Sequence, residues 1–95
     1  MAAYLIARID VTDPERYEAY KQLAPAAIDA FGGSYLVRGG VHETLEGDVE
    51  DRRLVVLEFP DLDTARAFYH SPEYTAARAV RDGAATGQFV IVEGS

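Results

Sequence analysis

Cysteine is absent from the 95-residue chain, so neither a disulfide framework nor a thiolate metal site is available. The two histidines, His42 and His70, show no metal-ligand spacing relative to each other, and no metal, haem or other cofactor is expected. Positive charge is scarce. Nine Lys and Arg stand against sixteen Asp and Glu, a formal net charge of −7. Phosphate backbones and anionic bilayers call for a basic surface, so neither nucleic acid nor a membrane is expected as a partner. No apolar stretch approaches transmembrane length. Met1 to Tyr4 carries no basic segment leading into an apolar run, and the expectation is a cytoplasmic protein. A phosphate loop, a dinucleotide fingerprint and a nucleophile elbow are all missing.

What is present reads as one globular domain over residues 1–95, with 48% hydrophobic and 26% charged residues. A chain of this size buries only roughly 60–65% of its unfolded surface and gains from a partner subunit. Tyr4 to Val11 alternates as a strand with apolar residues on both sides. Asp13-Pro14-Glu15 is a helix start, and Tyr17, Tyr20, Ala24, Ala27, Ile28 and Phe31 fall at helical spacing. Pro25 is expected to kink or break this helix near Ala24, and Gly32-Gly33 ends it.

Tyr35 to Val37 forms a short second strand. An acidic connection follows from Val41 to Asp51, with a further short strand expected around His42 to Leu45. Arg52 to Phe59 is the third strand, stopped by Pro60. A helix capped by Asp61 or Asp63 carries Leu62, Ala65, Phe68 and Tyr69, breaks at Ser71-Pro72-Glu73 and restarts. Phe89 to Val92 is the last strand. The order strand, helix, strand, strand, helix, strand predicts the α+β ferredoxin-like βαββαβ fold: a four-stranded antiparallel sheet with both helices on one face. Nothing in the chain is left to cover the other face. Because strands one, three and four are apolar on both sides, two sheets are expected to pack face to face in a homodimer.

Glu58 lies inside the most apolar strand, Leu54-Val55-Val56-Leu57-Glu58-Phe59. A carboxylate there is costly unless paired, so a cation, a hydroxyl or a ligand is expected to face it.

The run LVVLEFPDLDTARAFYHSPEY from Leu54 to Tyr74 resembles a known family. So do YLVRGG from Tyr35 to Gly40, GQFVIVEG from Gly87 to Gly94 and DVTDPERYEAY from Asp10 to Tyr20. Together they are similar to the small bacterial family called domain of unknown function 1330. The resemblance implies the dimeric α+β barrel superfamily, in which two ferredoxin-like sheets pair. Its members include cofactor-free monooxygenases, haem-degrading enzymes, lactone isomerases and proteins without an assigned activity.

The candidate site residues follow from position. Arg38 ends the second strand beside the Arg-Gly-Gly turn and is the natural counter-ion for Glu58 if hairpin register puts them on one face. Tyr20 on the first helix and Tyr74 near the restart of the second are inward, and a buried phenol needs a hydrogen-bond partner. His70, at the helical break, is a candidate acid or base beside Glu58; the bland alternative is a helix-end histidine favoured by the dipole. Arg78, four residues after Tyr74, is placed to reach an anion. Three functions compete: binding of a small organic acid or phenol between sheet and helices, with Tyr20, Arg38, Tyr74 and Arg78 as ligand-binding residues; a cofactor-independent oxygenase or isomerase using Glu58 or His70; or a structural or interaction module.

Overall fold

The central strand dictates the layout. In the computed structural model, which describes residues 1–95, β1 (Ala3–Val11) buries Ala3, Leu5, Ala7 and Ile9 on one side, and its alternate residues emerge on the other. Four further elements follow before the second crossover closes: α1 (Pro14–Ala30), β2 (Ser34–Arg38), β3 (Arg53–Phe59) and α2 (Leu62–Tyr69). Then come α3 (Pro72–Arg81) and β4 (Ala85–Glu93). The sheet order is β2-β3-β1-β4, and β1–β3, β1–β4 and β2–β3 are all antiparallel. This is the expected ferredoxin-like α+β fold, with the second helical region split in two.

The helix boundaries are local chemistry. The Asp13 carboxylate accepts from the Arg16 amide at 3.1 Å, and Pro14 occupies the first turn, where a missing N–H costs nothing. Asp61 caps α2 through the Thr64 amide at 2.7 Å. Buried Ser71 does two jobs at the break. Its hydroxyl donates to the Phe68 carbonyl at 2.7 Å, ending α2, and accepts from the Tyr74 amide at 3.1 Å, starting α3.

Aromatic rings pack among the small residues of the core. Phe68 is fully buried and stacks at 5.0 Å on Phe59 and at 4.4 Å on Tyr74. Ring pairs of this kind add to the stabilisation that their buried area supplies.

Three expectations about elements change. Helix α1 runs unbroken through Pro25, because Ala24, Ala27 and Ile28 on either side of it are buried and packing outweighs the local penalty. No strand forms at His42 to Leu45. That segment is an irregular loop, tied across by His42 Nε2 to the Glu50 carbonyl at 2.9 Å and by the Glu50 amide donating to Thr44 Oγ1 at 2.8 Å. Strand β4 begins at Ala85 rather than Phe89, pairing along the whole of β1.

Gly33, between α1 and β2, marks a close approach. A Cβ there would lie 2.7 Å from a ring carbon of Phe59 and 2.8 Å from a methyl of Ile28. Overpacking a core contact typically costs about 1–3 kcal/mol. Gly33→Ala is therefore expected to lower the urea midpoint by an amount in that range without changing the slope of the unfolding transition. A midpoint equal to wild type would show that this contact yields freely.

Candidate functional site

Strand parity first decides which candidates share a face. Glu58 lies opposite Tyr4 on β1 and Ser34 on β2, in register with the residues that point away from the helices. Leu57 and Phe59 beside it are buried under the helices. Arg38 lies opposite Val55, which packs against the helix-side core. The register of β2 shifts between Tyr35 and Val37, so a β-bulge turns Arg38 onto the face of Tyr35 instead of that of Leu36. Its guanidinium carbon sits 4.5 Å from the centre of the Tyr35 ring. Arg38 and Glu58 are thus on opposite faces of the sheet. The expected pair does not form, and Glu58 is half-buried with no ion pair or hydrogen bond to its carboxylate.

What the fold does bring together is a narrow cavity of about 30 Å³ between α1 and the sheet. Small residues open it, Ala7 on β1 and Ala24 on α1, and Leu5, Ile28, Val55 and Leu57 complete its apolar walls. Its polar lining has one character. Four phenols, Tyr17, Tyr20, Tyr35 and Tyr74, and three cations, Lys21, Arg38 and Arg53, line it, with no carboxylate and no imidazole. A third of the nine basic side chains of an acidic protein converge here.

Each polar group is placed by an identifiable cause. Pro25 has no N–H to offer the carbonyl of Lys21 one helical turn back. Arg38 Nη2 donates to that carbonyl at 3.4 Å, tethering β2 to α1 at the cavity mouth. Arg53 lies 5.8 Å from the centre of the Tyr17 ring, and its Nε is sealed from solvent with no hydrogen-bond partner. The guanidinium occupies the space where a side chain on Gly39 would stand, and Gly39 has a φ of +70°, which glycine alone adopts freely. Deeper in, the hydroxyls of Tyr20 and Tyr74 are 2.6 Å apart, and Arg81 Nη1 approaches Tyr74 Oη at 3.4 Å.

The remaining candidates lie elsewhere. His70 is the exposed C-cap of α2 and stands at the rim of a shallow groove of about 290 Å³ with Arg66, Tyr69, Leu5, Phe89 and Ile91. Its ring meets Tyr69 edge-on at 5.4 Å. Arg78 stacks on Tyr69 at 4.5 Å and donates to its hydroxyl at 3.1 Å, outside the cavity. The structure therefore unites Tyr20, Tyr74 and Arg38 and separates from them Glu58, His70 and Arg78. Lys21, Tyr35 and Arg53 are lining residues that no motif in the sequence singles out. Parity with Val55 and Leu57 was the available signal for Arg53, as Gly39 was for the space it fills.

Burial pushes the Tyr20 hydroxyl well above the usual phenol range, helped by Tyr74, and raises the Tyr74 hydroxyl, with Arg81 and the hydrogen bond from Tyr20 opposing that rise. Tyr17 and Tyr35 are raised by burial too, with Arg53 and Arg38 respectively opposing the rise. A phenol that ionises more readily unfolded than folded leaves stability intact below about pH 10 and removes it above. Absorbance titration is expected to show these four tyrosines silent at pH 10, their ionisation then appearing together with loss of the far-ultraviolet dichroism. Four rings titrating freely before unfolding would contradict this burial.

Comparison with known proteins agrees with the fold and adds a family. A protein of unknown function from Rhodopseudomonas palustris superposes with a TM-score of 0.73 at 18% identity, covering 99% of this chain and 82% of that one. SnoaB, a cofactor-independent oxygenase from Streptomyces nogalater, gives 0.64 at 15% identity, covering 99% and 93%. A dimeric protein of unknown function and ferredoxin-like fold from Bacteroides fragilis gives 0.59 at 17%, covering 98% and 96%. No curated protein matches the chain significantly. Likeness at this identity speaks for the fold alone. The sequence itself matches the family described as domain of unknown function (DUF1330) over residues 2–95, nearly its whole length, and the chain belongs to that family.

Proposed function

We propose that the chain is a homodimer in which each subunit binds a small organic anion in the cavity beneath α1. The observation that carries the binding is the unpaired, solvent-sealed Nε of Arg53 in a lining that contains cations and phenols and no acid. A buried donor without an acceptor costs about 1–3 kcal/mol. A carboxylate supplies the missing acceptor and finds Arg38 at the same mouth, beside Lys21, whose ammonium pairs with Glu18 at 3.0 Å. The enclosed volume suits a carboxylate head, since one water needs roughly 10–15 Å³.

The oxygenase or isomerase reading has less support. Glu58 faces away from the cavity, and no hydrogen bond orients the His70 ring. The cavity tyrosines, held neutral by burial, are poor bases.

Removing the guanidinium separates binding from stability. Arg53→Met is expected to weaken binding of small carboxylates at least tenfold by calorimetric titration, with a melting temperature at or above that of wild type. The stranded donor disappears with the side chain, so a large drop in melting temperature with unchanged binding would make Arg53 structural. Glu58→Gln should leave carboxylate affinity unchanged.

The dimer rests on the open sheet face. Ile6, Leu54 and Val56 are only half-buried there, and Val90 and Val92 of β4 are 41% and 44% exposed. A cluster of apolar side chains open to solvent on a sheet face marks a surface that a partner covers. Light scattering at micromolar concentration is expected to give twice the chain mass, and a concentration-independent monomer would refute the pairing.

A further inference from the structure

Hydrogen counting in the cavity wall specifies the ligand further. Tyr20 and Tyr74 are both buried, and their hydroxyl oxygens share one hydrogen bond. Two phenols carry two protons, and one bond consumes one of them. The only other group bonded to the pair is Arg81 Nη1, which is itself a donor. One phenol proton therefore has no acceptor in the protein, whichever tyrosine donates to the other. Both residues line the same cavity as Arg53, so that cavity holds two unanswered donors, a guanidinium Nε and a phenol O–H. Tyr17 stands between them, 5.8 Å from the Arg53 guanidinium carbon and 5.2 Å from the Tyr20 ring.

From this arrangement we infer that the ligand is an oxygenated carboxylic acid, in which a carbonyl or phenol oxygen remote from the carboxylate takes the spare proton of the Tyr20–Tyr74 pair. The inference rests on the anion-binding reading and adds a second point of attachment. The carboxylate answers Arg53, the remote oxygen answers the hydroxyl pair, and the short apolar body between them lies along Tyr17 and the aliphatic walls. No carboxylate or imidazole lines the cavity to pair a cation, so amines are discriminated against.

Matched pairs of acids test it on the full chain: pentanoate against levulinate, and benzoate against the hydroxybenzoates, by calorimetric titration. The oxygenated member of at least one pair is expected to bind about tenfold tighter, the discrimination one well-placed hydrogen bond provides. In Tyr20→Phe/Tyr74→Phe that preference should fall to about one while affinity for the plain acid persists, which a loss of fold would not produce. The double variant is needed because either phenol alone still presents a free O–H. Equal affinities within both pairs in wild type would overturn the inference and leave anion binding standing, with water taking the proton. A preference that survives the double substitution would also overturn it. If none of the acids binds, the anion reading falls and this one falls with it.

Discussion

The pleat of one strand sorts the chemistry of the molecule. β1 is central, paired on both sides, and its alternation sends Ala3, Leu5, Ala7 and Ile9 under the helices while Tyr4, Ile6, Arg8 and Asp10 face away. A strand held on both sides cannot slip by one residue without exchanging the two sets. Through the register of β3 and β2 that partition extends across the sheet. It gathers phenols and guanidinium groups on the helix side. It leaves on the other side a carboxylate, an apolar field and the Glu50 ion pairs, with Arg8 at 3.2 Å and Arg52 at 3.0 Å.

Much of this was legible where the determinant is local. Caps at Asp13, Asp61 and Ser71 and the break before Pro72 needed only the chemistry of four consecutive residues. The inward placement of Tyr20 and Tyr74 followed from helical periodicity. What was not legible depends on a single inserted residue. The β2 bulge reverses the parity of Arg38, and no motif in Tyr35-Leu36-Val37-Arg38 announces it. Glu58 misled because its side chain lies on the sheet face that nothing within the chain covers, so no cation or hydroxyl of its own chain meets it. Pro25 misled because its penalty was judged against an isolated helix. In place, the carbonyl it orphans becomes the tether for Arg38.

The electrostatics work at two ranges. With a net charge of −7 the whole molecule repels small anions at a distance, an effect that salt screens over about 10 Å. Inside the cavity the sealed Nε of Arg53 acts at contact range in surroundings of low polarity, where a charge-assisted hydrogen bond is stronger than in water. For the anion binding proposed above, the combination favours slow encounter and selective retention. Raising the ionic strength relieves the distant repulsion more than it weakens the buried contacts.

The tyrosines carry one more consequence. The chain has no tryptophan, and four of its six tyrosines line the cavity. Its intrinsic ultraviolet emission therefore comes from phenols alone, most of them at the site. A hydrogen bond accepted from a phenol, or a guanidinium drawn off the Tyr17 or Tyr35 ring, alters that emission directly. The protein thus carries its own optical probe, built from the same side chains that line the cavity, so occupancy and conformation at the site are open to observation in the unmodified chain.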